Sequence, residues 1–179
     1  MTIGKKLMIG FGAALALVIA LSYAYLSATS GLGKAVLDAY EVDAKKLDLG
    51  GQIMKAGGDM VAFEKGIVLR SFTKEQSKVA SNEQSFKASN VKLQKAMSDM
   101  EPLLITEAAK KMLAAMKQAH DTWMPLHEEV LRLSEAGQAD AASQVHINKV
   151  MPQIAVLTSN TEELNAAVWK VAQAAEEDA

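Results

Sequence analysis

The 179-residue chain contains no cysteine, only three prolines, and aromatic residues that make up 5% of it. Without cysteine there is no disulfide, no thiolate metal site, no cysteine nucleophile and no C-x-x-C-H haem attachment. Scarce proline and aromatics, against abundant Ala, Met, Leu, Lys, Glu and Gln, argue against sheets and for long helices, so the expected class is all-α. A formal net charge of −2 supplies no basic surface to displace counterions from phosphates, and nucleic acid is not an expected partner. No nucleophile with an adjacent base, no phosphate loop and no paired carboxylates are evident. Neither catalysis nor a cofactor is therefore expected.

Half of the chain is apolar, enough for one domain with a core plus one membrane anchor. No charge falls between Lys6 and Lys34, and the run from Leu7 to Ala28 is apolar except for two serines and two tyrosines. About 20 such residues cross a ~30 Å hydrocarbon layer. The run exceeds the ~7 to 15 residues of a signal-peptide core and lacks a clean small-x-small cleavage site, which favours an uncleaved anchor over residues 7–29. Lys5 and Lys6 precede it. By the positive-inside rule residues 1–6 are cytoplasmic, and residues 30–179 form an extracytoplasmic domain on a cytoplasmic membrane.

Beyond the span, apolar or small residues recur at alternating intervals of three and four, the seam of helices packed at coiled-coil-like angles. The first seam reads Gly33, Leu37, Tyr40, Ala44, Leu47, Gly51, Met54, Gly58, Val61, Lys65, Val68 and Phe72. The second runs Val79, Glu83, Phe86, Asn90, Leu93, Met97, Met100 and Leu104. The third runs Ala109, Met112, Met116, Ala119, Trp123, Leu126, Val130 and Leu133. The fourth runs Ile147, Val150, Ile154, Leu157, Thr161, Leu164, Val168, Val171 and Ala175. Four seams predict an antiparallel up-down-up-down four-helix bundle, with helices over about 30–72, 74–101, 106–135 and 138–178.

Turn chemistry predicts the breaks. Thr73 offers an N-cap with Gln76 three residues on, Pro102 disfavours continuing the second helix, Thr106 before Glu107 can start the third, and Gly137 can stop it. Pro125 and Pro152 fall inside the third and fourth helices and should kink them. The first and last helices each span roughly 63 Å at ~1.5 Å per residue, so the fourth is expected back at the membrane surface, with Trp169 near it and a second span to follow.

Lys65 and Glu83 lie equidistant from the turn near residue 74, so a hairpin brings them level. They form either an ion pair that fixes register or part of a polar pocket. Arg70, one of two arginines, has the planar fork that suits a carboxylate. His146 lies one position off the fourth seam and is read as a rim residue. His120 and His127 are seven apart, too far for a helical zinc pair, so no metal site is expected. Asn90 is level with Gly58, as an amide facing a small residue. The methionines Met97, Met100, Met112 and Met116 read as gap-filling core. Gly50-Gly51 and Gly57-Gly58 each cost about 1 kcal/mol per glycine against Ala. Either a symmetry-related first helix approaches closely at Gly51 and Gly58, or the glycines are simply tolerated.

The opening T-I-G-K-K-L followed by G-F-G and an Ala/Leu/Val run resembles the start of methyl-accepting chemotaxis proteins. The remainder resembles their four-helix-bundle ligand-binding domain. Residues 64–72, Trp123-Met124-Pro125-Leu126 and residues 131–142 carry the likeness. The resemblance implies a membrane-anchored sensor that forms a homodimer through its first helix, here through Gly51, Met54 and Gly58. It also implies a ligand site near the membrane-distal end, the height of Lys65, Arg70, Glu83, His146 and Lys149. The basic members of that set point to a small anionic ligand, with a periplasmic binding protein as the indirect alternative. Such domains also front histidine kinases and diguanylate cyclases. A membrane-anchored structural coiled coil and a haem-carrying bundle with a Met/His axial pair are the readings from other classes.

Overall fold

The computed structural model describes residues 3–177, with side chains over 18–26, 40–171 and at Gln173. Among them there are helices and no strands: α1 (Ile3–Phe72), α2 (Gln76–Met100), α3 (Glu107–Glu135), α4 (Ala139–Val145) and α5 (Met151–Glu177). A 3₁₀ turn (Glu101–Leu103) follows α2, and a π-turn (His146–Val150) joins α4 to α5 as one rod. The chain forms two compact units, Met1–Val42 and Asp43–Ala179.

In the first unit Val18, Ile19, Leu21 and Tyr23 are exposed. No helix among the described residues is long and apolar enough to cross a membrane. Most of the span expected over residues 7–29 lies outside the residues whose side chains are described.

The second unit holds one continuous apolar core from Leu49 to Leu164. Contacts between rods run in opposite chain directions. Virtual side chains at Gly50 and Gly57 meet Asn165 and Leu157 of α5. Asn90 of α2 bonds His120 of α3, with Glu101 to Lys117 lower down. Thr161 of α5 donates to the sulfur of Met116 of α3. This is the up-down-up-down order, and Met97, Met100 and Met116 are buried in it as gap-fillers while Met112 is half-buried.

Most boundaries follow local chemistry. Thr106 accepts from the Ala109 N–H at 3.2 Å and caps α3. Gly137, at φ 72°, ends it in the left-handed region that glycine enters without Cβ strain. Pro102 sits in the 3₁₀ turn where α2 stops. The first turn differs from expectation. Helix α2 starts at Gln76 with Glu75 at the cap position, and the Thr73 hydroxyl serves Arg70 O and Glu75 Oε1 instead of capping. Glu75 gathers Lys78, Thr73 and Arg70, which together pull its pKa down to about 2, the Lys78 contact being the largest cause.

The seam of α1 lies one position before the expected frame. Leu49, Ile53, Ala56, Met60, Glu64 and Ile67 are buried, while Gly51, Met54, Gly58, Lys65 and Phe72 are exposed. Adjacent helix positions are about 100° apart, and a frame that counts the exposed Gly51 and Gly58 as core lies one position late. The fourth rod keeps the expected frame at Val150, Leu157, Thr161, Leu164 and Val168 and departs from it at its start. Ile147 is 54% exposed and His146 is 5% exposed, because the π-turn there inserts a residue. That turn immediately precedes Pro152, which cannot donate to the Asn148 carbonyl and whose ring crowds it. Pro125 lies inside α3, which continues unbroken to Glu135.

Candidate functional site

Every rod contributes to a polar cluster inside the apolar core. Helical spacing aims it: Glu64 falls between Met60 and Ile67 on the buried stripe of α1, and Trp123 and His127 are four apart on the buried face of α3. The Glu64 carboxylate is fully buried. It accepts hydrogen bonds from Trp123 Nε1 at 2.8 Å and His127 Nδ1 at 2.9 Å on one oxygen, and from His146 Nδ1 at 2.7 Å on the other. On its far side His127 Nε2 meets Glu83 Oε2 at 2.7 Å, and Glu83 Oε1 pairs with Lys87 at 2.8 Å.

The His127 ring is clamped by packing as well. It stacks on Phe86 with centroids 3.5 Å apart and planes at 5°, and Phe86 meets Trp123 edge-on at 5.7 Å.

Burial is the largest influence on Glu64 and by itself would raise its pKa. The bonds from His127, His146 and Trp123, with the charge on His127, outweigh it and hold the pKa below the ordinary carboxylate value. An ionised carboxylate only accepts hydrogen bonds. Both nitrogens of His127 face carboxylate oxygens, so the doubly protonated ring satisfies both contacts. His146 donates through Nδ1, and its Nε2 is buried without a hydrogen-bond partner. Among the described residues no group of His, Asp and Glu is arranged to hold a metal ion.

The residues singled out from sequence separate into two sets. Glu83 and His146 enter the cluster, linked through His127 and Glu64. Lys65 is exposed and does not pair with Glu83 as expected, because the shifted frame turns it outward and puts Glu64 in its place. Arg70 bonds Glu75 at 2.9 Å and Lys149 bonds Glu129 at 3.5 Å, both near the surface. His146, expected at the rim, and His120 are both core residues. His120 Nε2 lies 2.6 Å from Asn90 Oδ1, so Asn90 faces α3 and not Gly58. Glu64, Trp123 and His127 were missed as site residues. Moving the α1 frame one position earlier would have aligned Glu64 with Leu49, Ile53, Met60 and Ile67, and exposed a carboxylate in the core stripe.

The sequence matches, over residues 1–179, the family described as four helix bundle sensory module for signal transduction. The chain belongs to that family. A search of curated proteins finds no match. The family is one of sensory modules and not of enzymes, and a buried cluster that joins all four rods suits a sensory module. Sliding or turning any rod against the others must break a charged hydrogen bond, each worth about 1.5–3 kcal/mol. Such a core favours discrete arrangements over gradual deformation.

Proposed function

We propose that this sensory module is the extracytoplasmic part of a bacterial chemoreceptor, anchored in the cytoplasmic membrane by residues 7–29 and acting as a homodimer. The observation that carries this reading is the Glu64 cluster, which couples α1 to the α4–α5 rod through His146. A stimulus acting on either rod is thereby felt by the other. Exposed Val18, Ile19, Leu21 and Tyr23 are side chains that lipid would cover. Met54 is 41% exposed, and nothing within 4 Å would meet a side chain added at Gly51 or Gly58. These three line the face through which a second copy would pack.

A small carboxylate near Lys65 and Arg70, or a periplasmic binding protein docking there, is the proposed stimulus. The test is a thermal-shift screen of carboxylates on residues 1–179 in detergent, repeated on Arg70→Ala. At ~100-fold saturation a ligand stabilises the folded state by about 2.7 kcal/mol. Stabilisation of wild type that Arg70→Ala loses supports direct sensing. Equal stabilisation of both moves the site elsewhere, and no stabilisation at millimolar concentration favours the binding-protein route.

A further inference from the structure

Between α1 and α5 a cleft of about 190 Å³ reaches inward from the surface to Trp123 of α3. One wall is α1 from Met54 to Val61, and the other is α5 from Ile154 to Thr158. Glycine leaves the space on the α1 side. A side chain built on Gly58 would meet nothing within 4 Å, whereas one on Gly57 would already touch Leu157 at 3.3 Å. A helical glycine costs about 1 kcal/mol against Ala, and at Gly58 no neighbouring atom of this chain requires it.

The chemistry of the walls is selective. No charged side chain contributes to them, so an ion entering would lose hydration without meeting a counter-charge. The Met54 sulfur and the Trp123 ring suit an aromatic guest. One polar side chain, Thr158, is present. Its neighbours Ser159, Asn160 and Thr161 each turn back to carbonyls of their own rod. Among the described residues the Thr158 hydroxyl has no protein partner. Size agrees with this chemistry: a dry cavity of about 150 Å³ walled by aliphatic and aromatic side chains holds benzene, and this cleft has room for a ring with a small substituent.

We infer that the cleft is a binding site for a small uncharged aromatic molecule carrying a hydroxyl, its ring against Trp123 and its hydroxyl on Thr158. The site is separate from the carboxylate site proposed near Lys65 and Arg70, which lies ~10 Å further along α1. An occupant touches α1, α3 and α5 together. It also meets the indole whose N–H bonds Glu64 at 2.8 Å, so occupancy biases the arrangement of the polar cluster. That such occupancy is a stimulus rests on the sensory reading above; that the cleft binds does not.

Phenol is the probe. Residues 1–179 in detergent, labelled at the Met, Ile and Leu methyls and the tryptophan indoles, are titrated with it by NMR to millimolar concentration at neutral pH. The expected result is saturable movement of the Met54, Ile154 and Leu157 methyls and of the Trp123 indole N–H, with benzoate leaving them in place. Thr158→Val keeps the shape and removes the hydroxyl, so it should weaken phenol about two- to tenfold and leave benzene unchanged. Partition into detergent is common to both proteins and cancels in that ratio. Movement that never saturates, movement spread evenly over the bundle, benzoate binding as tightly as phenol, or equal phenol affinity in Thr158→Val would each overturn the proposal. Methyls of the cleft that shift with protein concentration and ignore phenol would give it to a second copy, which also overturns it. A failed titration leaves the carboxylate site to be decided at Arg70, and a failed carboxylate screen leaves this cleft untouched.

Discussion

Glu64 is where the largest effect of a single side chain is expected. Glu64→Ala strands the Trp123 and His146 donors and leaves the charge of His127 without its buried counter-ion, so it should cost about 3–5 kcal/mol, the range for breaking a buried pair by removing one partner. Trp123→Phe removes one bond to the same carboxylate and should cost less, about 1.5–3 kcal/mol with the lost packing kept small. Urea melts of the two variants at neutral pH check the order. The sign of the pH dependence follows from a folded-state pKa below the ordinary 4.5. Glu64's stabilising contribution is complete above about 4.5 and is lost as pH falls through the lowered folded value. Melts from pH 7 downward should therefore show wild type losing stability in that acid range, with Glu64→Ala losing less. Little of this residue chemistry was legible in the sequence. A Glu beside a Lys in a helix that carries many charges looks like solvated surface until the helix phase is known within one residue.

At the scale of the element, the paired glycines of α1 separate into two roles. A side chain built on Gly50 would lie 1.9 Å from Asn165 Oδ1, and one on Gly57 would lie 3.3 Å from Leu157. The close approach they permit is therefore to α5 of the same chain. Gly50→Ala should gain nothing or destabilise in wild type, because Asn165 must give way. In an Asn165→Ala background the same change should stabilise by about 1 kcal/mol, the helix propensity gain. A double-mutant cycle in urea measures the difference, and additivity within error would remove the contact as the reason for Gly50. The elements themselves were more readable than their faces. Pro102, Thr106 and Gly137 end or start helices through their own backbone chemistry. By contrast, Pro152 predicts a kink in the fourth helix, and the form it takes, a π-turn over His146–Val150, is not fixed by the proline alone.

For the whole molecule, the open face of Gly51, Met54 and Gly58 bears on assembly. If a second copy packs there, Gly58→Leu should weaken association by tenfold or more, about 1.4 kcal/mol, while leaving the helical circular dichroism unchanged. Sedimentation of residues 1–179 in detergent measures it, and identical dimers from wild type and variant would assign the interface to another face. Glu64 is buried whereas Gly51, Met54 and Gly58 are exposed, so the two perturbations should be separable: Glu64→Ala lowers the melting temperature, and Gly58→Leu changes the oligomer.

Composition and the 3-4 spacing determined that this chain is helical and that four rods form one bundle, and turn residues such as Pro102, Thr106 and Gly137 marked two of the three turns. Those properties arise from backbone preferences and from apolar residues recurring once per turn. They are local and survive an error of one position in phase. Tertiary structure alone decided that Glu64 and not Lys65 faces the core, that His127 bridges two carboxylates, and that His146 displaces Ile147. A helix phase error of one residue rotates a side chain by about 100°. A buried polar group's partner is set by which neighbouring rod stands opposite it, which no single helix encodes.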